Sequence, residues 1–292
     1  MSIKILNQEG LEFLKTVQSN TVDLVLTDPP YITSRQTGMQ KWAEHVKRQD
    51  APGAKPAKSQ QDWERHIFVE TGQDYWLKFF ENSNVVDKNK ACARMREDYL
   101  KYGSIYGTKY AVTTDYGDWD SQFDLGTLNK FASEFYRVLR PGGSAIIFFD
   151  IWKITNLKDI LESNKFKQLR FIEWIKTNPQ PLNSSRNYLT NCREIALMGV
   201  KKGSPTFNSK YDNAVYHYPL QGGKDRFHPT QKSLPLFEEL IRKHSNKGDL
   251  VLDPFLGSAT TAVAAKSTDR SFVGCEVDKE FYQKSIDRVS RS

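Results

Sequence analysis

The chain of 292 residues predicts an α/β fold, a mainly parallel twisted sheet with helices on both faces. Short β-branched runs alternate with amphipathic stretches along most of the chain, the order that builds βαβ units. Two of those runs, residues 22–26 and 250–252, lead straight into Asp-Pro turns, so chemistry-bearing groups fall at strand carboxyl ends, where open α/β sheets place their sites. No internal repeat at solenoid spacing competes with this reading.

The elements follow in order. Residues 3–6 form a first strand, and Leu11, Leu14 and Val17 mark the helix after it. The run Val22, Asp23, Leu24, Val25, Leu26 is the next strand, and Thr27, Asp28, Pro29, Pro30, Tyr31 is its exit. The prolines force extended chain and remove two N–H donors, so a carboxylate, free carbonyls and a ring are offered together. Pro-Pro after a strand also makes an ordinary turn with a packed tyrosine, and the local sequence admits both readings.

Residues 32–116 break the pattern. A Pro- and Gly-containing linker at 51–56 is followed by aromatic residues interleaved with charges, including Trp63, Phe68, Tyr75 and Trp76. This stretch reads as an insertion, basic on balance, within a single domain spanning 1–292. Its composition suits a strand of nucleic acid and equally a solvated lobe with a small aromatic core of its own.

Regular structure resumes near Gly117. Leu128, Phe131, Phe135 and Val138 give a helix stopped by Arg140, Pro141, Gly142, Gly143. A strand at 145–149, a helix at 154–161 and a strand at 171–175 follow, then the loop Asn178, Pro179, Gln180, Pro181 and a strand at 194–200. Ser233 caps a helix carrying Leu236, Leu240 and Ile241, which ends in Arg242, Lys243 and His244 with Gly248 beyond. The strand 250–252, the turn 253–259, an Ala-rich helix from Thr260, a strand at 272–277 and a helix capped by Asp278 complete the chain.

Composition narrows the function. The apolar content of 38% supplies material for a sizeable core, and the net charge of +7 suggests an anionic partner, although a basic surface more often reflects solubility alone. Cys92, Cys192 and Cys275 are odd in number and lack C-x-x-C spacing, and the histidines are scattered, which argues against disulfides and bound metal. The first ten residues lack a signal-peptide pattern and no apolar run approaches a membrane span. A cytoplasmic protein without a membrane partner is expected.

The turn Asp253, Pro254, Phe255, Leu256, Gly257, Ser258 is a second constellation. Glu276 lies about 20 residues on, at the end of the next strand, and an acid at that spacing can hold both hydroxyls of a ribose beside a turn of small residues. This would be an adenosine site. The full G-x-G-x-x-G pattern and a lysine after the glycine are absent, which argues against a phosphate clamp. A purely structural turn has the same composition.

Four motifs in one order, Asp28-Pro29-Pro30-Tyr31, Asn178-Pro179-Gln180-Pro181, His228-Pro229-Thr230-Gln231-Lys232 and Asp253-Pro254-Phe255-Leu256-Gly257-Ser258, resemble the β-class DNA amino methyltransferases. The resemblance covers the first 30 residues or so and most of the chain from Gly117 onward, leaving the insertion uncovered. It implies a Rossmann-like methyltransferase fold with circularly permuted motif order. It also implies a site-specific enzyme that moves a methyl group from S-adenosylmethionine to an exocyclic amine of duplex DNA, with S-adenosylhomocysteine as product and no metal.

The resemblance gives each motif residue a place. Asp28, Pro29, Pro30 and Tyr31 would be catalytic, with Tyr31 stacking on the flipped base and Tyr188 a weaker candidate for its opposite face. Phe255, Gly257, Ser258 and Asp253 would lie at the cofactor, Glu276 on its ribose, and Thr230 and Lys232 at the methionine carboxylate. Asp28 would also serve the methionine ammonium, and Glu9 occupies the place of an acid near the adenine. Ala259 stands where relatives usually have glycine; at positive φ it would strain the turn. The partners implied are double-stranded DNA, a homodimer and a cognate restriction endonuclease.

Asp28 leans towards adenine N6 as target, because N4-cytosine enzymes often carry Ser there; N4-cytosine is the alternative. A cytosine-C5 mechanism needs a cysteine nucleophile, for which none of the three cysteines has the setting. A nucleic-acid-binding relative that has lost transfer, motivated by Ala259, competes as a non-enzyme. Enzymes acting on RNA or protein glutamine usually have Asn before Pro-Pro and the opposite motif order. Residues 32–116 are the expected target-recognition region.

Overall fold

The computed structural model describes residues 2–31, 58–68, 87–102, 123–179, 191–222, 226–228 and 230–292. The chain divides into two compact units, Met1–Ile32 with Gly117–Ser292, and Thr33–Tyr116. In chain order the elements are β1 (Ile3–Asn7), α1 (Gly10–Thr16), β2 (Val22–Thr27), α2 (Gln60–Phe68), α3 (Lys88–Tyr102), α4 (Leu125–Val138) and β3 (Leu139–Phe149). They continue with α5 (Ile154–Ser163), β4 (Lys167–Lys176), β5 (Arg193–Val200), β6 (Val215–Tyr218), α6 (Leu234–His244), β7 (Leu250–Asp253), α7 (Thr260–Ser267), β8 (Ser271–Glu276) and α8 (Lys279–Arg291).

The sheet of the larger unit runs β1-β8-β7-β2-β3-β5-β4-β6. Strand β5 alone is antiparallel to its neighbours β3 and β4; every other pairing is parallel. Alternation along the strands divides the core between two faces. Leu24, Leu26, Ile146 and Phe148 pack with α6, α7 and α8 on one face, and Val25, Ala145, Ile147 and Phe149 with α1, α4 and α5 on the other. The expected mainly parallel sheet covered on both faces is the observed one.

Helix placement follows from crossover handedness. The steps β1 to β2, β2 to β3 and β3 to β4 move one way across the sheet, and their helices α1, α4 and α5 share a face. The steps β6 to β7 and β7 to β8 move the other way, with α6 and α7 on the opposite face. A constant crossover hand demands this segregation. The two directions diverge between β2 and β7, which are paired through Leu24 with Val251 and Val25 with Leu252. That is the topological switch point, and it opens a crevice at the carboxyl ends of these two strands.

The structure differs from the sequence reading in three places. Strand β3 begins at Leu139 rather than 145: Leu139 pairs with Val22, and the register shifts before Ser144 pairs with Leu24. Gly142, at φ +82°, takes up that irregularity, so Pro141-Gly142-Gly143 is a bulge within a strand and not a helix stop followed by a loop. Strand β6 was not foreseen, and the reversal of β5 departs from a purely βα-alternating scheme.

Within the smaller unit, α2 and α3 pack through Trp63 and Tyr99, whose ring centroids are 5.5 Å apart, with Cys92, Met95 and Leu100 beside them. Arg96 on α3 donates to Gln60 Oε1 on α2. The linker at 51–56 lies outside the described residues.

Candidate active site

Asp28 leaves the carboxyl end of β2 and meets a lysine delivered by the segment before α6. Lys232 Nζ is 2.7 Å from Asp28 Oδ2 and 2.7 Å from Glu194 Oε2, and Glu194 Oε1 is 2.7 Å from Lys176 Nζ. Four charges thus alternate in sign, contributed by β2, the start of β5, the end of β4 and the segment ahead of α6. Lys232 is 6% exposed and the Asp28 side chain 18%. Asp28 Oδ1 is buried and has no hydrogen-bond partner among the described residues.

Burial and charge pull against each other here. Burial raises the Asp28 carboxyl to about 6 against the opposing attraction of Lys232. Burial also disfavours the charged Lys232, yet Asp28 and Glu194 together hold its ammonium well above the usual lysine range. Burial pushes Glu194 up, but Lys232 and Lys176 outweigh it and hold the carboxylate down to about 2. At neutral pH the cluster is therefore ionised, with Asp28 the member closest to taking a proton.

Tyr31 packs edge-to-face on Phe149 of β3, centroids 6.2 Å apart, and Lys232 Nζ lies 5.5 Å from its ring centre. Pro29 is buried between Asp28 and Pro30. Carboxylate, prolines and ring thus share the crevice edge.

The second motif closes the other side of the crevice. Gly257, at φ +51°, donates its N–H to Glu276 Oε2 at 2.8 Å, while Glu276 Oε1 accepts from Asp278 N at 2.9 Å. Each carboxylate oxygen retains a further acceptor site. Ser285 Oγ and Arg288 Nη1 of α8 donate to the carbonyls of Gly257 and Ser258, each at 2.7 Å, which fixes the turn from behind. A methyl on Gly257 would stand 3.6 Å from the His228 ring, so the imidazole roofs the bare backbone. His228 in turn packs on Phe281, centroids 4.5 Å apart, and accepts at Nδ1 from Thr230 N. Burial, with Lys232 nearby, lowers it to about 4, so the imidazole is neutral.

The remaining sequence candidates take different positions. Asp253 faces inward: Oδ1 accepts from Thr27 Oγ1 at 2.6 Å and Phe255 N at 3.0 Å, and Oδ2 from Thr261 Oγ1 at 2.6 Å. Three donors occupy it, and it ties β2, the turn and α7 together. The Phe255 ring packs against Phe131 and Phe123 rather than standing free. Ser258 Oγ bonds Thr260 Oγ1. Thr230 is exposed beside His228. Glu9 is exposed and caps α1 through Glu12 N, next to the β1–β8 edge that ends in Glu276. Gly10 follows it because a methyl there would meet the Phe131 ring at 2.8 Å. Ala259 has φ 62° and ψ 26° and is fully buried, the strained alternative of the two its sequence position allowed. Asn178 Oδ1 accepts from Leu220 N at 2.6 Å; Gln180, Pro181, Tyr188 and Pro229 lie outside the described residues.

Sequence reasoning missed Glu194 and Lys176. Glu194 opens the apolar run of β5 and Lys176 closes β4, and their proximity becomes readable only once β4 and β5 are antiparallel, with Trp174 opposite Glu194. Among the described residues no group of three or more His, Cys, Asp and Glu is placed to hold a metal, and no helix is long and apolar enough to cross a membrane.

Known proteins match this arrangement. The model of the N6/N4 methylase family, described as DNA methylase, matches residues 22–287. The chain belongs to that family. Among curated relatives it is 34% identical over 217 residues to the type II methyltransferase M2.DpnII of Streptococcus pneumoniae, covering 65% of this chain and 78% of that one. It is 30% identical over 208 residues to the type II methyltransferase M.HpaI of Haemophilus parainfluenzae, covering 62% and 65%. Among solved structures, the complex of M1.HpyAVI with S-adenosylmethionine aligns at TM-score 0.58 and 24% identity over 98% of both chains. The PvuII DNA methyltransferase, described as cytosine-N4-specific, aligns at TM-score 0.59 and 15% identity over 100% of this chain and 91% of that one. The Rossmann-like fold is shared with both. The chain is thus a DNA N6/N4 methyltransferase of the type II kind, with the Asp28 motif ahead of the Gly257 turn.

Proposed function

We propose that the chain methylates the N6 amine of adenine in a short duplex DNA sequence, with S-adenosylmethionine as donor. The observation that carries this reading is Asp28 at the switch point, one oxygen bound to Lys232 and the other buried and unpartnered among the described residues. An Asp heading the Asp-Pro-Pro-Tyr motif is what resembles the adenine enzymes.

The residues fit the cofactor. Gly257 presents bare backbone under His228, and Glu276 has acceptor sites to spare for two ribose hydroxyls. Phe255 and Ser258 complete that turn, with Thr230, Lys232 and Asp28 towards the methionine end and Glu9 towards the adenine edge. Asp253 serves by holding the turn. When bound, S-adenosylmethionine supplies an electrophilic methyl on a sulfonium.

The chain's own residues supply the rest. An exocyclic amine is a poor nucleophile because its lone pair is delocalised into the ring. Hydrogen bonds from its N–H groups to Asp28 Oδ1 and the Pro29 carbonyl turn that lone pair out of the ring plane. Asp28, raised to about 6, is then an acceptor for the proton the methylated nitrogen sheds. Flipping the base costs a few kcal/mol, and stacking on Tyr31 returns about 1–3 kcal/mol. Residues 33–116, basic and aromatic in composition, supply target recognition in this reading.

Tritiated S-adenosylmethionine and duplex DNA test it, with the DNA digested to nucleosides. N6-methyladenine is the expected product, and Asp28→Ala lowers labelling by roughly 10³-fold with the fold retained. Normal labelling by that variant, or N4-methylcytosine from the wild type, overturns the reading.

A further inference from the structure

We propose that Glu194, anchored by Lys176, is a positioning residue for methyl transfer: it shares Lys232 with Asp28, which keeps Asp28 only partly paired and leaves Oδ1 free for the target amine. The inference rests on Asp28 being the amine acceptor and holds for adenine N6 and cytosine N4 alike.

The geometry carries it. Lys232 Nζ stands at 2.7 Å from an oxygen of each carboxylate, so neither owns the ammonium. A lysine ammonium has three donors. With Glu194 taking one and Asp28 Oδ2 another, the ammonium is held to the side of Asp28 Oδ2, and Oδ1 has no partner among the described residues. Lys176, 2.7 Å from Glu194 Oε1, balances the second carboxylate, so the buried set of two lysines and two acids is neutral overall. Such a set is costly to bury. A single Lys–Asp pair would be simpler, but it would leave the ammonium free to neutralise Asp28 fully.

The groups facing Asp28 are Lys232, Glu194 and Asp253, with the Tyr31 ring and hydroxyl beside them. Lys232 stabilises the Asp28 anion; Glu194 and Asp253 oppose it. Two substitutions should therefore move Asp28 in opposite directions. Glu194→Gln removes a negative neighbour and gives Lys232 wholly to Asp28, so the Asp28 titration falls by about one pH unit. The carboxylate, now fully paired, is a weaker acceptor. Lys176→Met removes a positive charge and draws Lys232 towards the uncompensated Glu194, so the Asp28 titration rises.

The full-length protein tests this by titrating the ¹³Cγ resonance of Asp28, assigned with Asp28→Asn, which needs neither cofactor nor DNA. The same variants are then assayed for kcat and KM on duplex DNA across pH. The expected result is a downward midpoint for Glu194→Gln and an upward one for Lys176→Met, with the acidic limb of kcat following each. For Glu194→Gln, kcat falls about tenfold while KM for S-adenosylmethionine stays within about twofold. Midpoints that stay together, shifts in the same direction, or an unchanged kcat would overturn the role of Glu194. If Glu194→Gln fails to fold, Lys176→Met alone decides: an unmoved midpoint there refutes the sharing of Lys232. The nucleoside product of the wild type separately judges the adenine reading, which can fail while the paired shifts stand.

Discussion

Replacing Asp253 by Asn should flatten the pH dependence of stability in one window. Asp253 is 3% exposed, and burial raises its carboxyl to about 6 despite the hydrogen bonds from Thr261, Thr27 and Phe255. The gap between about 6 and the ordinary 3.8 corresponds to about 3 kcal/mol at roughly 1.36 kcal/mol per pKa unit. The folded state holds the proton more tightly than the unfolded chain. The group's stabilising contribution is therefore fully present below pH 3.8 and is lost as pH rises through about 6. Asn does not titrate. Its oxygen still accepts from Thr27 and Phe255, and its NH₂ meets the Thr261 hydroxyl, which rotates to accept.

Urea unfolding of both proteins between about pH 4 and pH 8, followed by far-UV circular dichroism, reads the effect. The wild-type value minus the Asp253→Asn value should fall by about 3 kcal/mol across the window. Asp28, also raised to about 6, tilts both curves; Asp253 contributes to that rise, so the tilt is smaller in the variant and adds to the fall in the difference. Parallel curves would show that Asp253 is not held near 6, and the account of the turn as a costly buried hub would fail.

Two further outcomes follow from the same structure. Ala259→Gly relieves left-handed strain of about 1–2 kcal/mol, but it frees the unfolded chain by about 0.4–1 kcal/mol and removes a buried methyl worth about 0.8 kcal/mol. The net change in unfolding free energy should lie within about 1 kcal/mol of zero, and a stabilisation above about 2 kcal/mol in urea melts would show that packing does not compensate the strain. Replacing residues 33–116 by a short linker should erase sequence preference, read by sequencing the methylated positions; an unchanged preference would move target recognition elsewhere in the chain.

Most of the larger unit was legible because its elements carry their own signals. The apolar period around Leu128, Phe131, Phe135 and Val138 and the cap Asp278 are local features that tertiary contacts reinforce, whereas Ser233 stands at the N-cap position of α6 without a side-chain capping bond. Strand direction is different. Nothing in the run Ile195–Val200 encodes whether it pairs parallel or antiparallel, and the segment between β4 and β5 has enough residues for either. Strand β6 offers only Val215–Tyr218, with Ala214 at positive φ just ahead, too little alternation to register. The site divided along the same line. Asp28, Gly257 and Glu276 announce themselves by motif and spacing, whereas Glu194 acquires meaning only from a pairing between β4 and β5 that the sequence leaves open.

The permuted order costs the site nothing, because the sheet and not the chain defines adjacency. Asp28 and the Gly257 turn are far apart in sequence, but they leave neighbouring strands on the two sides of the switch point. Thr27 and Asp253, 226 residues apart, share a hydrogen bond at the carboxyl ends of those strands. The Asp28 motif and the Gly257 turn therefore come together only when β2 pairs with β7, one of the most non-local pairings in the fold and one whose loop-closure entropy must be met before any contact rewards it. The buried hydroxyl–carboxylate tie at that seam is placed where this non-local pairing needs a specific register. Thr27 in turn directly precedes Asp28, so whatever fixes the register of β2 against β7 also fixes where the Asp28 carboxylate stands relative to Lys232.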